Sequence, residues 1–243
     1  MDVEYIKQNA ALSGKCGKNM RWYYLEGTLY IEGSGTLDLV QESPGFRYDP
    51  SVDPSFVRYV AMSRALYPAR YPWYAVMDDI VRIIIADGCT EIKRDSFYHH
   101  KNLREVSLPA TLTKLGWSVF TYCEKLEEIT VPYGVEAIPM EVFAGCTGLH
   151  TVHIPASVRK IDTRAFVACI KLENINLPEN LEVIEDHAFN GCVELKTVTL
   201  PNGLKKIGDA AFAPGSKIDR VVVPKSVKTI GNNAFSCVQE VVL

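Results

Sequence analysis

The sequence predicts a solenoid of the α/β class: about seven coils of 23 residues with parallel strands, preceded by an N-terminal β-hairpin cap. Two ladders of residues carry this prediction. Phenylalanine recurs every 23 residues, at Phe97, Phe120, Phe143, Phe166, Phe189, Phe212 and Phe235. Proline keeps the same interval, at Pro109, Pro132, Pro155, Pro178, Pro201 and Pro224. A period of roughly 20–50 residues is typical of proteins in which each repeat stacks on the next.

The segment 149–171 shows how one coil is expected to fold. Val152 and Ile154 alternate with polar residues, which predicts a short strand with its apolar side chains turned inward. Pro155 has no amide hydrogen to donate, so it belongs at the end of that strand. Phe166 then fills the interior of the coil. One coil cannot bury its own apolar face, and stacked coils share one continuous core. The solenoid is therefore predicted to span residues 80–243.

Residues 1–79 lack the period and are predicted to cap the first coil. The segments 20–25 and 28–32 alternate as strands, and Glu26-Gly27 makes the tight turn of a hairpin between them. Three prolines in 41–54 predict a surface loop, and a short helix is expected from Phe56 to about Leu66. The alternative is that this region is a separate ligand-binding domain.

Composition and charge exclude several classes of protein. The chain has 243 residues, of which 47% are apolar, and a net charge of −3, which predicts neither a nucleic-acid partner nor an anionic membrane surface. No apolar run approaches the ~20 residues of a membrane span. Residues 1–8 lack the features of a signal peptide. We therefore expect a cytoplasmic protein if Met1 is the native start, unless a leader was removed.

The seven cysteines, four of them one period apart, predict small buried side chains and no disulfide framework, since their number is odd. No C-x-x-C pair is present, so no metal site and no cofactor are predicted. His100 occupies a position that other repeats give to cysteine, and a partly buried neutral histidine is expected there. No nucleophile elbow, phosphate loop or facing carboxylate pair is found, which predicts that the protein is not an enzyme.

Two surfaces are candidates for binding. The first is the outward side of the strands, a mostly neutral polar face whose central residues are Glu128, Thr130, Thr151, His153, Asn174, Asn176, Thr197 and Thr199. The alternative is that these are simply solvated strand residues. The second lies before the phenylalanine, where Trp117 and Met140 occupy adjacent coils with Tyr122 near the same edge. The alternative there is local packing against residues 41–74.

The last coil is short, and the chain ends on the apolar residues Val241, Val242 and Leu243. An open strand edge recruits another strand. We therefore expect this end to be buried in a homodimer or paired locally.

The repeat L-x-x-V-x-L-P-x-x-V-x-x-I-x-x-x-A-F-x-x-C resembles the BspA-like (Treponema-type) leucine-rich repeat over about residues 80–243. Residues 14–17, Trp22, 27–35 and 72–74 resemble the segment that precedes such repeats in that family. The resemblance implies a curved leucine-rich-repeat solenoid that works by binding. Members of the family are often surface proteins of host-associated microbes, credited with adhesion to host matrix proteins or to other cells.

The function expected from this resemblance is a non-enzymatic, adhesin-type protein-binding module of a host-associated microbe, at the cell surface or secreted. The competing expectation is an intracellular scaffold or a self-assembling structural repeat protein.

Overall fold

Parallel strands stacked in two layers form the body of the molecule; we call these layers the first and second sheet, although the strands of the first are hydrogen-bonded in successive pairs. The computed structural model describes residues 2–39, 71–213 and 215–243, so the helix expected from Phe56 to Leu66 lies outside the described residues. We number the coils 1 to 7 by their phenylalanines, from Phe97 in coil 1 to Phe235 in coil 7. The first sheet takes one strand per coil and one more after coil 7: β5 (Arg82–Ile85), β7 (Glu105–Ser107), β9 (Glu128–Thr130), β11 (Thr151–His153), β13 (Asn174–Ile175), β15 (Thr197–Val198), β17 (Arg220–Val222) and β19 (Glu240–Val242).

The second sheet takes the return strand of each coil: β6 (Cys89–Ile92), β8 (Lys114–Leu115), β10 (Ala137–Ile138), β12 (Lys160–Ile161), β14 (Val183–Ile184), β16 (Lys206–Ile207) and β18 (Thr229–Ile230). Neighbouring coils pair in parallel and 23 residues apart, as in Thr151 opposite Glu128. The last pairing is shorter, since Arg220 lies opposite Glu240. The predicted leucine-rich-repeat solenoid of about seven coils is confirmed.

The seven phenylalanine rings form one column through the interior. Adjacent ring centroids lie 5.2–5.9 Å apart, with their planes within 21° of parallel. The rings of coils 1 to 6 are fully buried, whereas Phe235 at the end of the column is half-buried. Each ring buries its faces against its neighbours, so the column contributes to a core shared by all coils.

Each phenylalanine sits in a turn held by unusual backbone conformations. A residue with positive φ occurs two positions before the ring, at Asp95, Ser118, Glu141, Arg164, His187, Ala210 and Asn233. Another occurs two positions after it, at His99, Tyr122, Gly145, Ala168 and Gly191. In this turn the phenylalanine amide donates to a carbonyl of the next coil, as from Phe97 to Val119 at 3.0 Å. The turns are thus joined by backbone hydrogen bonds without forming a strand.

The N-terminal region forms an additional layer on coil 1. It contains α1 (Val3–Asn9), β1 (Leu12–Lys15), β2 (Met20–Leu25), β3 (Thr28–Gly33), β4 (Gly35–Leu37) and a 3₁₀ helix (Tyr74–Asp79). The predicted hairpin is β2–β3, whose turn residues Glu26 and Gly27 have φ of 46° and 79°. The helix α1 and the strands β1 and β4 were not expected from the sequence. Strand β3 pairs in parallel with β5, and β4 pairs in parallel with β6. Residues 28–37 therefore contact coil 1 in the same way as a preceding coil would. The boundary at residues 79 and 80 remains a prediction.

An indole extends the aromatic column into this cap. Trp73 is fully buried and stacks on Phe97, with 6.0 Å between centroids. Its Nε1 donates a hydrogen bond to Nε2 of His100 at 3.0 Å. His100 is completely buried rather than partly buried as expected, because Trp73, Tyr71 and Phe97 all contact its ring.

Candidate functional site

The strand face consists of the outward side chains of β9, β11, β13 and β15 and of the residues just after β13 and β15. Of the eight predicted residues, seven are exposed and Thr151 is half-buried. Neighbouring coils are linked across the face: Thr197 Oγ1 donates to Asn174 Oδ1 at 2.6 Å, and His153 Nε2 lies 3.0 Å from Glu128 Oε1. The fold therefore brings all eight residues onto one surface. Their role in binding remains a prediction.

Charges beside the strand face compensate one another between coils. Two ion pairs join residues that precede neighbouring strands and lie 23 positions apart, Arg104–Glu127 at 2.6 Å and Lys196–Glu173 at 2.7 Å. The hydrogen bond from Lys196 lowers the pKa of the Glu173 carboxyl. These pairs are exposed and contribute little to stability. Because these charges neutralise one another, the neutral Thr and Asn side chains are the main polar groups that the strand face offers to a partner.

The second candidate surface is divided by the structure. The half-buried Trp117 lines an open groove of about 890 Å³, where Arg94 Cζ lies 5.1 Å from the centre of its ring. Tyr122 belongs to a different cluster and makes edge contacts with Tyr98 and His99 at 5.8 and 6.0 Å. Met140 is half-buried. A binding role for these three residues remains a prediction.

Burial keeps the interior cysteines and His100 in their neutral forms. Four cysteines, one each in coils 2 to 5, are fully buried, and each thiol donates to a phenylalanine carbonyl of the preceding coil at 3.1–3.3 Å. Burial raises the pKa of Cys192 to about 12 and lowers the pKa of His100 to about 4. Burial also raises the pKa of Glu141, although Arg164 opposes that shift. Buried thiols with raised pKa values are poor nucleophiles.

Within residues 2–39, 71–213 and 215–243, no group of three His, Cys, Asp or Glu side chains is arranged to hold a metal ion. In the same part of the chain, no helix combines the length and the apolarity that crossing a bilayer requires.

The repeats match a known sequence family. The model for the BspA type leucine-rich repeat region matches residues 73–181 and 159–241, with six copies of the repeat. The chain belongs to the BspA-type leucine-rich repeat family. The search of curated proteins found no match.

Solved structures of leucine-rich repeat proteins share the fold. The leucine-rich repeat protein of Treponema pallidum is 29% identical, with a TM-score of 0.59 over 62% of this chain and 73% of its own. A leucine-rich repeat protein from Bacteroides ovatus is 21% identical, with a TM-score of 0.63 over 93% of this chain and 52% of its own. A third, from Eubacterium ventriosum, is 18% identical with a TM-score of 0.51. The last two show the fold alone.

Sequence reasoning missed the groove beside Trp117, although one signal for it was present. Pro139 is a proline outside the regular proline ladder, in the position that follows a strand of the second sheet.

Proposed function

We propose that this BspA-type repeat protein is a non-enzymatic protein-binding module of the adhesin type, displayed at or secreted from the surface of a host-associated microbe. The observation that carries the proposal is the strand face, a continuous surface of exposed Thr, Asn and His side chains across coils 3 to 6. Repeat solenoids generally use such extended faces to contact partners. The partner we propose is a host matrix protein or another cell-surface protein. The neutral thiols and histidine of the interior support a binding role over catalysis.

A charged substitution in the middle of the strand face tests the proposal. Asn176 is exposed between coils 4 and 6, so Asn176→Arg places a long cation in the neutral row. We expect at least tenfold weaker binding to immobilised extracellular-matrix proteins in biolayer interferometry, since a buried unpaired charge opposes docking. Glu179→Arg is the matched control, because Glu179 is also exposed but follows Pro178 outside the face. Equal binding by both variants would refute the strand face as the contact surface.

A second candidate, a self-assembling structural protein, is favoured by the C-terminal end of the solenoid. There Val222 is 56% exposed, Val241 38% and Leu243 88%. An apolar strand of this kind is suited to pairing with the same strand of a second copy, which would give a homodimer. Light scattering of the wild type and of Val241→Lys decides between the candidates. A dimer that the variant converts to a monomer supports self-assembly, and a monomeric wild type rejects it.

A further inference from the structure

We call the interface between two neighbouring coils a joint. One joint of the solenoid lacks a backbone hydrogen bond that the others have. In the second sheet the residue after each strand donates its amide to a carbonyl of the layer before it, at 2.8–3.0 Å. The donors are Lys93, Gly116, Asp162, Glu185, Gly208 and Gly231, and the acceptors are Leu37, Ile92, Ile138, Ile161, Ile184 and Ile207. Coil 3 has Pro139 at this position, and proline has no amide hydrogen. The joint between coils 2 and 3 is therefore one hydrogen bond short.

Two kinds of side-chain link found elsewhere in the solenoid are also absent at this joint, although Ser118 and Thr121 still bond to Glu141 across it. In other coils a residue of the proline turn donates to a carbonyl of the coil before it, as Thr111 Oγ1 does to Cys89 and Ser157 Oγ to Val135, both at 2.8 Å. Coils 3 and 6 have Gly134 and Gly203 in that position, so neither forms this link. Farther along the rod, Asp186 Oδ1 accepts the amide of Asp209 at 2.9 Å. In coils 2 and 3 the positions equivalent to these two aspartates hold Trp117 and Met140, which have no carboxylate.

The second sheet divides at this joint. Its described strands form one group, β4-β6-β8, and a second group, β10-β12-β14-β16-β18, with no pairing between β8 and β10. The rings of Phe120 and Phe143, which belong to coils 2 and 3, have the largest separation of the column, 5.9 Å. The groove of about 890 Å³ crosses this joint: residues 113–117 and 134–137 and Pro139 line its centre, and Asp38, residues 91–94 and Asp162 line its ends. Pro139 thus lies where the described strands of the second sheet are interrupted, in the lining of the groove.

The lining of the groove defines the chemistry of its ligand. An aromatic ring, Trp117, stands among cationic and anionic side chains in similar number: Lys93, Arg94, Lys114, Asp38, Glu91, Glu136 and Asp162. A site for an apolar molecule would be lined mainly by hydrophobic side chains. A site for a polyanion or a polycation would carry charge of one sign. The groove combines the two, since Ile92, Leu115 and Val135 also line it and its charges are of both signs.

Hydroxyl groups match such a lining, because each hydroxyl both donates and accepts a hydrogen bond. Ammonium and guanidinium groups supply donors, carboxylates supply acceptors, and the half-buried indole, which Arg94 overlies, supplies apolar surface for the carbon face of a sugar ring. We propose that the groove between coils 2 and 3 binds a neutral oligosaccharide. This site lies outside the strand face, so the proposal goes beyond protein binding and does not depend on it.

Tryptophan emission of the full chain gives a direct test. The protein has three tryptophans, of which Trp22 and Trp73 are buried and Trp117 is half-buried. We expect saturable changes in emission on titration with at least one member of a panel of neutral oligosaccharides built from glucose, galactose, mannose, xylose or N-acetylglucosamine. Calorimetry with that sugar should show at least tenfold weaker binding by Trp117→Ala and by Lys114→Ala. Tyr133→Ala is the control, because Tyr133 is 75% exposed beside the groove without lining it.

A second variant tests the cause of the groove. Pro139→Gly restores an amide in the residue type that coils 2, 6 and 7 use at this position, so it should close the joint. We expect at least tenfold weaker sugar binding with little change in melting temperature, because the flexibility of glycine in the unfolded chain offsets the added hydrogen bond. The proposal is overturned if no sugar of the panel binds, or if Trp117→Ala, Lys114→Ala and Pro139→Gly all bind as the wild type does. Binding of an extended peptide by the groove, with no sugar binding, would also overturn it.

Discussion

At the scale of single residues, His100 shows how one substitution adapts a repeat to its place in the stack. In coils 2 to 5 this position is a cysteine whose thiol donates to the phenylalanine carbonyl of the coil before it. Coil 1 has no such coil before it, and the buried Trp73 indole presents a donor instead. The imidazole supplies the acceptor that a thiol would supply poorly. Because Nε2 accepts from Trp73, a proton on Nε2 would face another donor.

This arrangement predicts a pH dependence of stability. Burial lowers the pKa of His100 to about 4, whereas histidine in an unfolded chain titrates near ~6.5. Between these values the unfolded chain binds a proton that the folded chain does not, so the free energy of unfolding falls as the pH is lowered. We expect His100 to account for a loss of about 3 kcal/mol between pH ~6.5 and pH ~4.

Urea denaturation across that pH range checks the prediction. His100→Cys, the residue of coils 2 to 5, removes the titrating group, and the other four histidines are retained as an internal control. The difference in unfolding free energy between wild type and variant should shrink as the pH is lowered. Parallel pH profiles would contradict the assignment.

At the scale of the elements, the turn that carries the phenylalanine has a backbone requirement. The residue two positions after the ring has positive φ in coils 1 to 5. It is glycine in coils 3 and 5, whereas coil 4 has Ala168, with φ of 58°. A side chain with a Cβ is strained in this left-handed region, whereas glycine is not. The turn thus carries a small strain energy wherever another residue stands.

Ala168→Gly should therefore stabilise the protein, by about 0.5–1 kcal/mol, because relief of strain exceeds the greater flexibility of glycine in the unfolded chain. Thermal and urea unfolding measure the effect. Ala165→Gly is the comparison, since Ala165 is fully buried in the same turn and is not among the positive-φ residues. It should be destabilising. A loss of stability in Ala168→Gly would show that the left-handed residue is not strained.

The same elements show what the sequence predicts and what it does not. The 23-residue interval determines the strands, the buried phenylalanines and the exposed strand face, because all of these follow from side-chain alternation. The sequence does not reveal the left-handed residues two positions before each phenylalanine, because Asp, Ser, Glu, Arg and His occur there without a common residue type. The cap strand β4 pairs with β6, a partner distant in sequence, so no local pattern indicates it. The groove depends on one missing amide, which matters only once the coils are stacked.

At the scale of the whole molecule, the two ends of the solenoid differ. The N-terminal end is covered, since Trp73 lies on Phe97 and β3 pairs with β5. In the last coil, Ile230 is 42% exposed and Phe235 is half-buried. Repeat proteins are stabilised mainly by contacts between neighbouring repeats. A coil with only one neighbour therefore has less stabilisation than a coil with two.

Hydrogen exchange measured by NMR is expected to reveal this difference, because the same hydrogen bond recurs at both ends and in the middle. The amides of Lys93, Glu185 and Gly231 each donate to the equivalent carbonyl of the layer before them, at 3.0, 2.9 and 2.8 Å. Distance alone would give all three similar protection. We expect the protection factor of Gly231 to be at least about thirtyfold lower than that of Glu185, which is an opening free energy lower by about 2 kcal/mol, because the last coil can open without disturbing a second interface.

Lys93 should be protected like Glu185, since the cap supplies the missing neighbour. Equal protection at all three amides would mean that the solenoid opens only as a unit, and equal weakness of Lys93 and Gly231 would mean that the N-terminal layer does not stabilise coil 1.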